Sequence, residues 1–219
     1  MKRIMPSSIL APIACGGCAG SIPVTSFSWI KPGVVTVLLN ILALGVLLLV
    51  MPGSVVHAGE GVRVVIDTEA DTLQVLRGDK VIRLYENIAI GRYGKTYFKV
   101  RGDNKTPLGK FKIGWENKKT RYHRFLGLTY PDLPTADRAL VDGRIDESQW
   151  QAIRRATEAG KVPSQSTPLG GQIGIHGIGS GDREIHREFN WTNGCVALTN
   201  EEIDELRRWV KIGTPVEIR

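Results

Sequence analysis

The chain has 219 residues, a composition with 42% hydrophobic and 23% charged residues, and a formal net charge of +7. This composition excludes disorder over most of the chain, and the length suits one domain with an additional segment. Residues 1–58 hold three basic residues and no acidic one, so residues 59–219 carry 26 basic and 22 acidic side chains, a net charge of +4. That charge does not indicate a nucleic-acid-binding protein, because no basic run accompanies it.

The first predicted feature is an apolar stretch over residues 33–51, which only Thr36 and Asn40 interrupt. Basic residues precede it, a Pro-Gly step ends it, and residues 56–58 have the small-x-small pattern of a cleavage site. We therefore predict that residues 1–58 are a secretory signal. A retained inner-membrane anchor is the alternative, because the stretch is long enough to span a bilayer. In both cases the domain over 59–219 is exported to the periplasm or cell envelope.

Three cysteines are present, and only Cys195 lies outside residues 1–58, the predicted signal or anchor, called the leader below. Cys15 and Cys18 have no second pair and no βαβ context, so neither a redox site nor a metal site is predicted there. Without the leader, Cys195 has no partner for an intrachain disulfide. A free thiol that persists in an oxidising compartment indicates a use for its reactivity.

From residue 62 onward the sequence has the pattern of β-strands. Apolar and polar residues alternate over 62–67, and the alternation continues over 73–75. A Gly-Asp step at 78–79 then predicts a turn that returns the chain over 81–84 as a hairpin.

Residues 87–91 are predicted to form a further strand, and the basic, glycine-punctuated residues 92–104 a loop. A Thr-Pro step at 106–107 favours extended backbone, and alternation over 111–115 predicts the next strand.

Residues 116–168 differ in character and are predicted to be an insertion that covers one side of the β core as a lid. A capping-box pattern and a terminal glycine predict one helix, over 146–159. Tyr122, His123 and Phe125 are candidates for lining a substrate groove. In the alternative reading, the segment is a surface excursion whose aromatic residues pack on the core.

The main candidate site lies in residues 174–198. Cys195 follows Gly194 in a polar turn, and His176 ends a short predicted strand over 172–176. The imidazole can take the thiol proton, and the thiolate can attack an acyl carbon. The turn amides could receive the resulting oxyanion. Taken singly, a cysteine is as often a small buried apolar residue, and a histidine after an apolar run is more often structural.

Two other kinds of site are not supported. A zinc site from His176, His186 and Cys195 lacks a clear fourth ligand, and no metal is predicted. The glycine-rich residues 177–181 lack the spacing of a phosphate-binding loop. Because His186 has charged neighbours, it is predicted to lie on a solvated turn.

The C-terminal part is predicted to be a helix over 199–212 followed by a strand over 215–219. Thr199 and Glu202 form a capping box, and Gly213 ends the helix. The helix begins four residues after Cys195, so it is predicted to anchor the turn over residues 191–194 that precedes the candidate nucleophile, called the nucleophile turn below.

The site motif resembles the signature of the YkuD-type L,D-transpeptidase catalytic domain. His176-Gly177 is followed by Thr-Asn-Gly-Cys-Val at 192–196, and residues 105–111, KTPLGKF, are similar to the second common element of the family. The resemblance covers about residues 62–219, and the WTNGCVAL form is similar to the ErfK/YafK-like branch. Many members have Thr at the position of Ile178 and Arg at that of Ala197, so one substrate or orienting contact is unassigned here.

This resemblance implies a mainly β catalytic domain, a closed barrel or sandwich-like, with an inserted helical segment and a C-terminal helix. It also implies a cell-wall enzyme, concerned with peptidoglycan and cell shape, that needs no cofactor. Cys195 would attack a stem tetrapeptide, release D-alanine and form a thioester. A stem amine or an envelope lipoprotein lysine would then take the acyl group.

The resemblance also implies roles for individual residues. His176 would act as the base, and the amides of Gly194 and Cys195 would stabilise the oxyanion. Thr192 and Asn193 would shape the turn and contact substrate, with Gly177 as a further contact.

Three alternatives remain open. A hydrolase, amidase or carboxypeptidase with the same Cys/His pair would pass the acyl group of peptidoglycan, or of a lipoprotein linkage, to water. A sortase-like transpeptidase shares the order of histidine and cysteine but has a different turn before the cysteine. A non-catalytic peptidoglycan-binding module would leave Cys195 unreactive.

Overall fold

The computed structural model of the protein describes residues 61–219. The predicted leader over 1–58, with Cys15 and Cys18, lies outside these residues. In the part of the chain that the structure describes, no helix has both the length and the apolar character needed to cross a membrane.

The described residues form a mainly β structure, which confirms the predicted fold class. The strands are β1 (Val62–Asp67), β2 (Thr72–Arg77), β3 (Lys80–Glu86), β4 (Lys95–Thr96), β5 (Thr106–Pro107), β6 (Gly109–Asn117), β7 (Phe125–Leu128), β8 (Gly174–His176), β9 (Val196–Ala197) and β10 (Pro215–Ile218). The helices are α1 (Leu133–Val141), α2 (Glu147–Glu158), α3 (Arg183–Glu188) and α4 (Asn200–Trp209).

Eight of these strands form one sheet, in the order β3-β2-β1-β10-β6-β7-β8-β9, while β4 pairs with β5. The end strands β3 and β9 do not pair with each other, so the sheet is not closed into a barrel. The sandwich-like form of the prediction is the one that fits.

The predicted hairpin is present, with β2 and β3 antiparallel on either side of Gly78. The strand predicted over 87–91 is not continuous. Ala89 forms a single antiparallel bridge to Ala197, and Gly91 a single parallel bridge to Thr192. Because this segment meets two different stretches of chain, it cannot form one regular ladder.

The prediction that 116–168 is a single insertion is wrong in its extent. Residues 125–128 form β7, an interior strand between β6 and β8. The predicted helix is α2, which has the expected capping box and buries Ile153. A second helix, α1, was not predicted, because a proline such as Pro134 normally interrupts a helix. A proline is tolerated in the first turn of a helix, where its missing N–H has no partner in any case.

The C-terminal elements complete the sheet as predicted. β10 lies between β1, to which it is parallel, and β6, to which it is antiparallel. Helix α4 begins at the predicted capping box of Thr199 and Glu202, and it buries Ile203 and Leu206 against the core.

The capping box gives the first testable prediction. The Thr199 hydroxyl accepts from the Glu202 amide at 3.3 Å and donates to the Glu202 carboxylate at 2.8 Å. We expect Thr199→Ala to lower the free energy of unfolding by about 1 kcal/mol, because it leaves the amide without an acceptor. Thr199→Ser keeps the hydroxyl oxygen, so its free energy of unfolding should fall much less. Urea unfolding at pH 7 measures both values. Equal losses in the two variants would contradict the capping role.

Candidate active site

The two candidate catalytic residues lie at neighbouring strands near one edge of the sheet. β8 and β9 are parallel, with Ile175 opposite Val196 and His176 opposite Ala197. Alternate residues of a strand point to the same face. Cys195, directly before β9, therefore lies on the same face as His176, one diagonal step away.

A cleft of about 740 Å³ contains both residues. Of the predicted site residues, its lining includes Cys195, His176, Thr192, Asn193, Tyr122 and Phe125. Several other lining residues could not be predicted from sequence patterns: Arg92, Lys99, Arg101, Trp115, Arg121 and Trp191. Most of these come from segments that lack periodicity, and only folding brings them to the site.

His176 is 2% exposed and is enclosed by aromatic rings. Its ring stacks on that of Tyr122 at a centroid distance of 4.2 Å, and the edge of Trp191 lies at 5.8 Å. Its Nδ1 is 2.7 Å from the carbonyl oxygen of Gly177. Because a carbonyl can only accept, Nδ1 carries the proton and Nε2 keeps its lone pair.

Burial lowers the pKa of His176 to about 4, with the charge of Arg121 acting in the same direction and the Gly177 carbonyl opposing. The desolvated interior disfavours the imidazolium. At neutral pH the imidazole is therefore uncharged and able to accept a proton through Nε2.

Cys195 is half-buried, and its thiol donates to the Gln172 carbonyl at 3.3 Å. Desolvation raises the pKa of this thiol to about 11, against the opposing effects of the Gly174 amide and the Lys99 charge. The resting site is thus a neutral thiol beside a neutral imidazole. The thiol hydrogen must leave the Gln172 carbonyl before it can pass to His176.

The nucleophile turn is held by the hydroxyl of Thr192, which is 3% exposed. This hydroxyl donates to the Cys195 carbonyl at 2.7 Å and accepts from the Gly194 amide at 3.1 Å. In this conformation the Gly194 amide already has an acceptor, so its predicted role as an oxyanion donor stays a prediction that requires this hydrogen bond to break. Within residues 61–219 the Cys195 amide donates no hydrogen bond outside the strand ladders, and it stays a candidate oxyanion donor.

A buried ion pair lies directly beneath the turn. Lys99, 3% exposed, donates through Nζ to Asp103 Oδ1 at 2.6 Å and to the Lys105 carbonyl at 2.8 Å. A Cβ atom added to Gly194, whose φ is +124°, would lie 2.6 Å from that carbonyl and 2.9 Å from Nζ. Only a glycine at this position lets the turn approach the pair so closely.

The KTPLGKF element supports the same turn from the other side. Thr106 is fully buried, and its hydroxyl accepts from the Gly91 amide at 2.8 Å. The next residue, Arg92, donates through its amide to the Thr192 carbonyl at 2.9 Å. The element therefore holds the 89–92 segment against the nucleophile turn.

Helix α4 anchors the segment after His176, not the cysteine turn as predicted. The Asn200 side chain accepts from the Gly179 amide and donates to the Gly179 carbonyl, each at 2.8 Å. Gly177 does not line the cleft, and its predicted substrate contact stays a prediction. A Cβ there would lie 2.6 Å from Asn200 Oδ1 and 2.9 Å from the Tyr122 carbonyl. Close packing is what requires this glycine.

Two histidines lie elsewhere than predicted. His123 does not line the cleft; its Nε2 is 2.7 Å from Asp204 Oδ2. His186 is 2% exposed within α3, so the solvated turn was wrong. Its Nδ1 lies 3.3 Å from Trp191 Nε1. Across 61–219 no cluster of three His, Cys, Asp or Glu side chains could hold a metal ion.

A family model of the YkuD L,D-transpeptidase catalytic domain matches residues 61–218. No curated protein matches the chain. Among solved structures, the chain is similar to the helical cell shape determining protein Pgp2 from Campylobacter jejuni. The two chains share 23% identity and superpose with a TM-score of 0.49, and the match covers 74% of this chain and 48% of that one. It is also similar to Bd1075 from Bdellovibrio bacteriovorus, at 21% identity and a TM-score of 0.47 over 74% and 49%. The chain spans about half the length of these structures.

The close approach at Gly194 gives a prediction on stability. Gly194→Ala should lower the free energy of unfolding by about 2–5 kcal/mol, because backbone strain is added to contact with Lys99 and Lys105. Gly213 also has a positive φ, +90°, but nothing lies within 4 Å of an added Cβ. Gly213→Ala is therefore the matched control and should lose about 1–2 kcal/mol in urea unfolding. Equal losses would contradict the packing argument.

The buried imidazole gives a prediction on pH. The pKa of His176 falls from 6.5 to about 4 on folding, so the unfolded chain binds a proton that the folded chain does not. Stability from this group is complete above pH 6.5 and is lost as the pH falls toward 4, by about 3 kcal/mol. Unfolding measured from pH 7 to 4 should show this loss in the wild type relative to His176→Gln. Parallel curves would contradict it.

Proposed function

The chain belongs to the family of L,D-transpeptidase catalytic domains, and from that membership we propose that it is a cysteine acyltransferase acting on peptidoglycan stem tetrapeptides. One observation carries the proposal. The only cysteine of residues 61–219 shares a cleft with a buried imidazole whose Nε2 lone pair is free to accept a proton.

The first step is acylation of Cys195. Nε2 of His176 accepts the thiol proton while Sγ attacks the carbonyl carbon on the L-centre side of the bond to the terminal D-alanine. The Cys195 amide donates to the oxygen that becomes negative. The C–N bond then breaks, the leaving nitrogen takes the proton back from the imidazolium, and a thioester remains.

The neutral resting state suits this step. An amine is a poorer leaving group than a thiolate unless it is protonated, so the tetrahedral intermediate would otherwise collapse back to the substrate. The imidazolium formed in this buried site is a strong acid, since the pKa of His176 is about 4. It therefore protonates the leaving nitrogen readily and directs the collapse toward the thioester.

The second step transfers the acyl group. An amine acceptor enters the position that D-alanine has left, His176 takes its proton, and attack on the thioester releases the thiol. We propose a second stem peptide or an envelope lipoprotein lysine as the acceptor. Water in the same position would give hydrolysis, so the acceptor alone separates transferase from hydrolase.

The proposed setting is the cell envelope, with residues 1–58 acting as a signal or an anchor. The structure from Campylobacter jejuni is described as a helical cell shape determining protein. A role of the present chain in building the cell wall and setting its shape is part of this proposal.

Intact mass spectrometry with a disaccharide-tetrapeptide tests the function. We expect an adduct equal to the stem minus D-alanine, which is absent in Cys195→Ala. His176→Gln should slow acylation ~100- to 10,000-fold, since it removes the general base. His123→Gln replaces a histidine outside the cleft and serves as the matched control, with an unchanged rate.

The adduct is then exposed to an amine or to water alone, and the faster decay identifies the acceptor. An adduct that persists in Cys195→Ala, or a folded wild-type protein that never forms one, would overturn the proposal.

A further inference from the structure

The cleft around Cys195 is lined by cationic side chains without any anionic one. Arg92, Lys99, Arg101 and Arg121 contribute to its wall, and no Asp or Glu among residues 61–219 does. A concave site with charges of one sign focuses the electric field and concentrates ligands of the opposite sign. The cleft is therefore suited to an anionic ligand.

Two of the four cations are committed to the protein itself. Lys99 forms an ion pair with Asp103 at 2.6 Å. Arg101 donates from Nε and Nη2 to the Thr167 carbonyl at 3.1 and 2.8 Å. These contacts hold the loop that forms one side of the cleft.

The other two cations have no carboxylate partner in the part of the chain that the structure describes. Arg92 donates to Asn193 Oδ1 at 2.6 Å, and its Nε is buried without any hydrogen-bond partner. Arg121 donates to the Tyr122 hydroxyl at 2.6 Å, and its guanidinium lies 4.8 Å from the centroid of that ring. Each guanidinium keeps N–H groups available for a ligand.

These two arginines flank the reacting groups. Arg92 contacts Asn193, which stands two residues before Cys195, so it lies on the nucleophile side. Arg121 contacts Tyr122, whose ring stacks on His176, so it lies on the side of the base.

We propose that the cleft selects acyl donors with a carboxylate on each side of the scissile bond, Arg121 binding that of the leaving residue and Arg92 one on the acyl portion. The proposal rests on the proposed function. His176 must protonate the leaving nitrogen, which places the leaving residue and its α-carboxylate on the side of Arg121. The acyl portion, bonded to Sγ, lies on the side of Arg92. A guanidinium binds a carboxylate through two parallel hydrogen bonds.

The first experiment tests the charge of the cleft without any peptidoglycan substrate. Iodoacetate and iodoacetamide each alkylate Sγ: the thiol loses its proton, an S–C bond forms, the C–I bond breaks and iodide leaves. The two reagents differ in that only iodoacetate carries a carboxylate. The measured quantity is the alkylation rate with iodoacetate divided by the rate with iodoacetamide. We expect this ratio to be at least threefold higher for Cys195 than for glutathione. Arg92→Gln and Arg121→Gln should each lower this ratio. Arg155→Gln removes an arginine outside the cleft and should not.

The second experiment assigns each arginine. Two pairs of donors are compared by their acylation rates. In the first pair, a tetrapeptide with a free C-terminal carboxylate is compared with the same peptide carrying a C-terminal amide. In the second pair, a donor with a free carboxylate on the side chain of its third residue is compared with the form amidated there. The wild type should prefer each free carboxylate ~10- to 100-fold. Arg121→Gln should lose only the preference for a free carboxylate at the C-terminus of the donor. Arg92→Gln should lose only the preference for a free carboxylate on the third residue. Near-ultraviolet circular dichroism checks that the variants are folded.

The outcomes separate the two proposals. Equal rates for free and amidated donors, or alkylation ratios that neither substitution changes, would overturn carboxylate selection. If no donor acylates the protein while the iodoacetate preference persists and depends on both arginines, acyl transfer to peptidoglycan is overturned and an anion-binding cleft remains.

Discussion

The parallel pairing of two very short strands is the constraint on which the site depends. β8 and β9 bring His176 and Cys195 to one face, although they are nineteen residues apart in the chain. Pairing this short is weak by itself, so the neighbouring contacts must fix its register. The Thr192 hydroxyl closes the turn before β9, Asn200 clamps the loop after β8, and the Ala89 bridge covers the outer edge of β9.

The chemistry of the site follows from what this packing excludes. Aromatic rings and buried backbone remove water from the imidazole and the thiol, so both are neutral at rest. A site of this kind must create its charges only when the substrate is bound. The positive charge around it is supplied by side chains such as Arg92 and Arg121, which do not take part in proton transfer. Burial is thus the main control of the protonation state, whereas the arginines supply the attraction for anions, and Arg121 also helps to lower the pKa of His176.

The motif around Cys195, the hairpin, β10 and the capped helix α4 could all be predicted, since each depends on local periodicity or on a short signature. The sequence could not reveal Lys99, because its role depends on the approach of Gly194 from about a hundred residues further along the chain. His186 was misplaced because its charged neighbours concealed that its own side chain faces inward. Helix α1 was missed at Pro134, where the rule against proline does not apply to a first turn.

The position of β10 has a consequence for how the chain is made. This strand follows every other strand in the sequence, yet it lies between β1 and β6 in the middle of the sheet. Until residues 215–218 have emerged from the ribosome, the β1–β2–β3 hairpins have no neighbour through which to join the catalytic half. The two halves of this sheet can therefore be joined only after residues 215–218 have been made, through a slow, long-range pairing. Under the export that we propose, this late pairing would follow passage through a translocation channel.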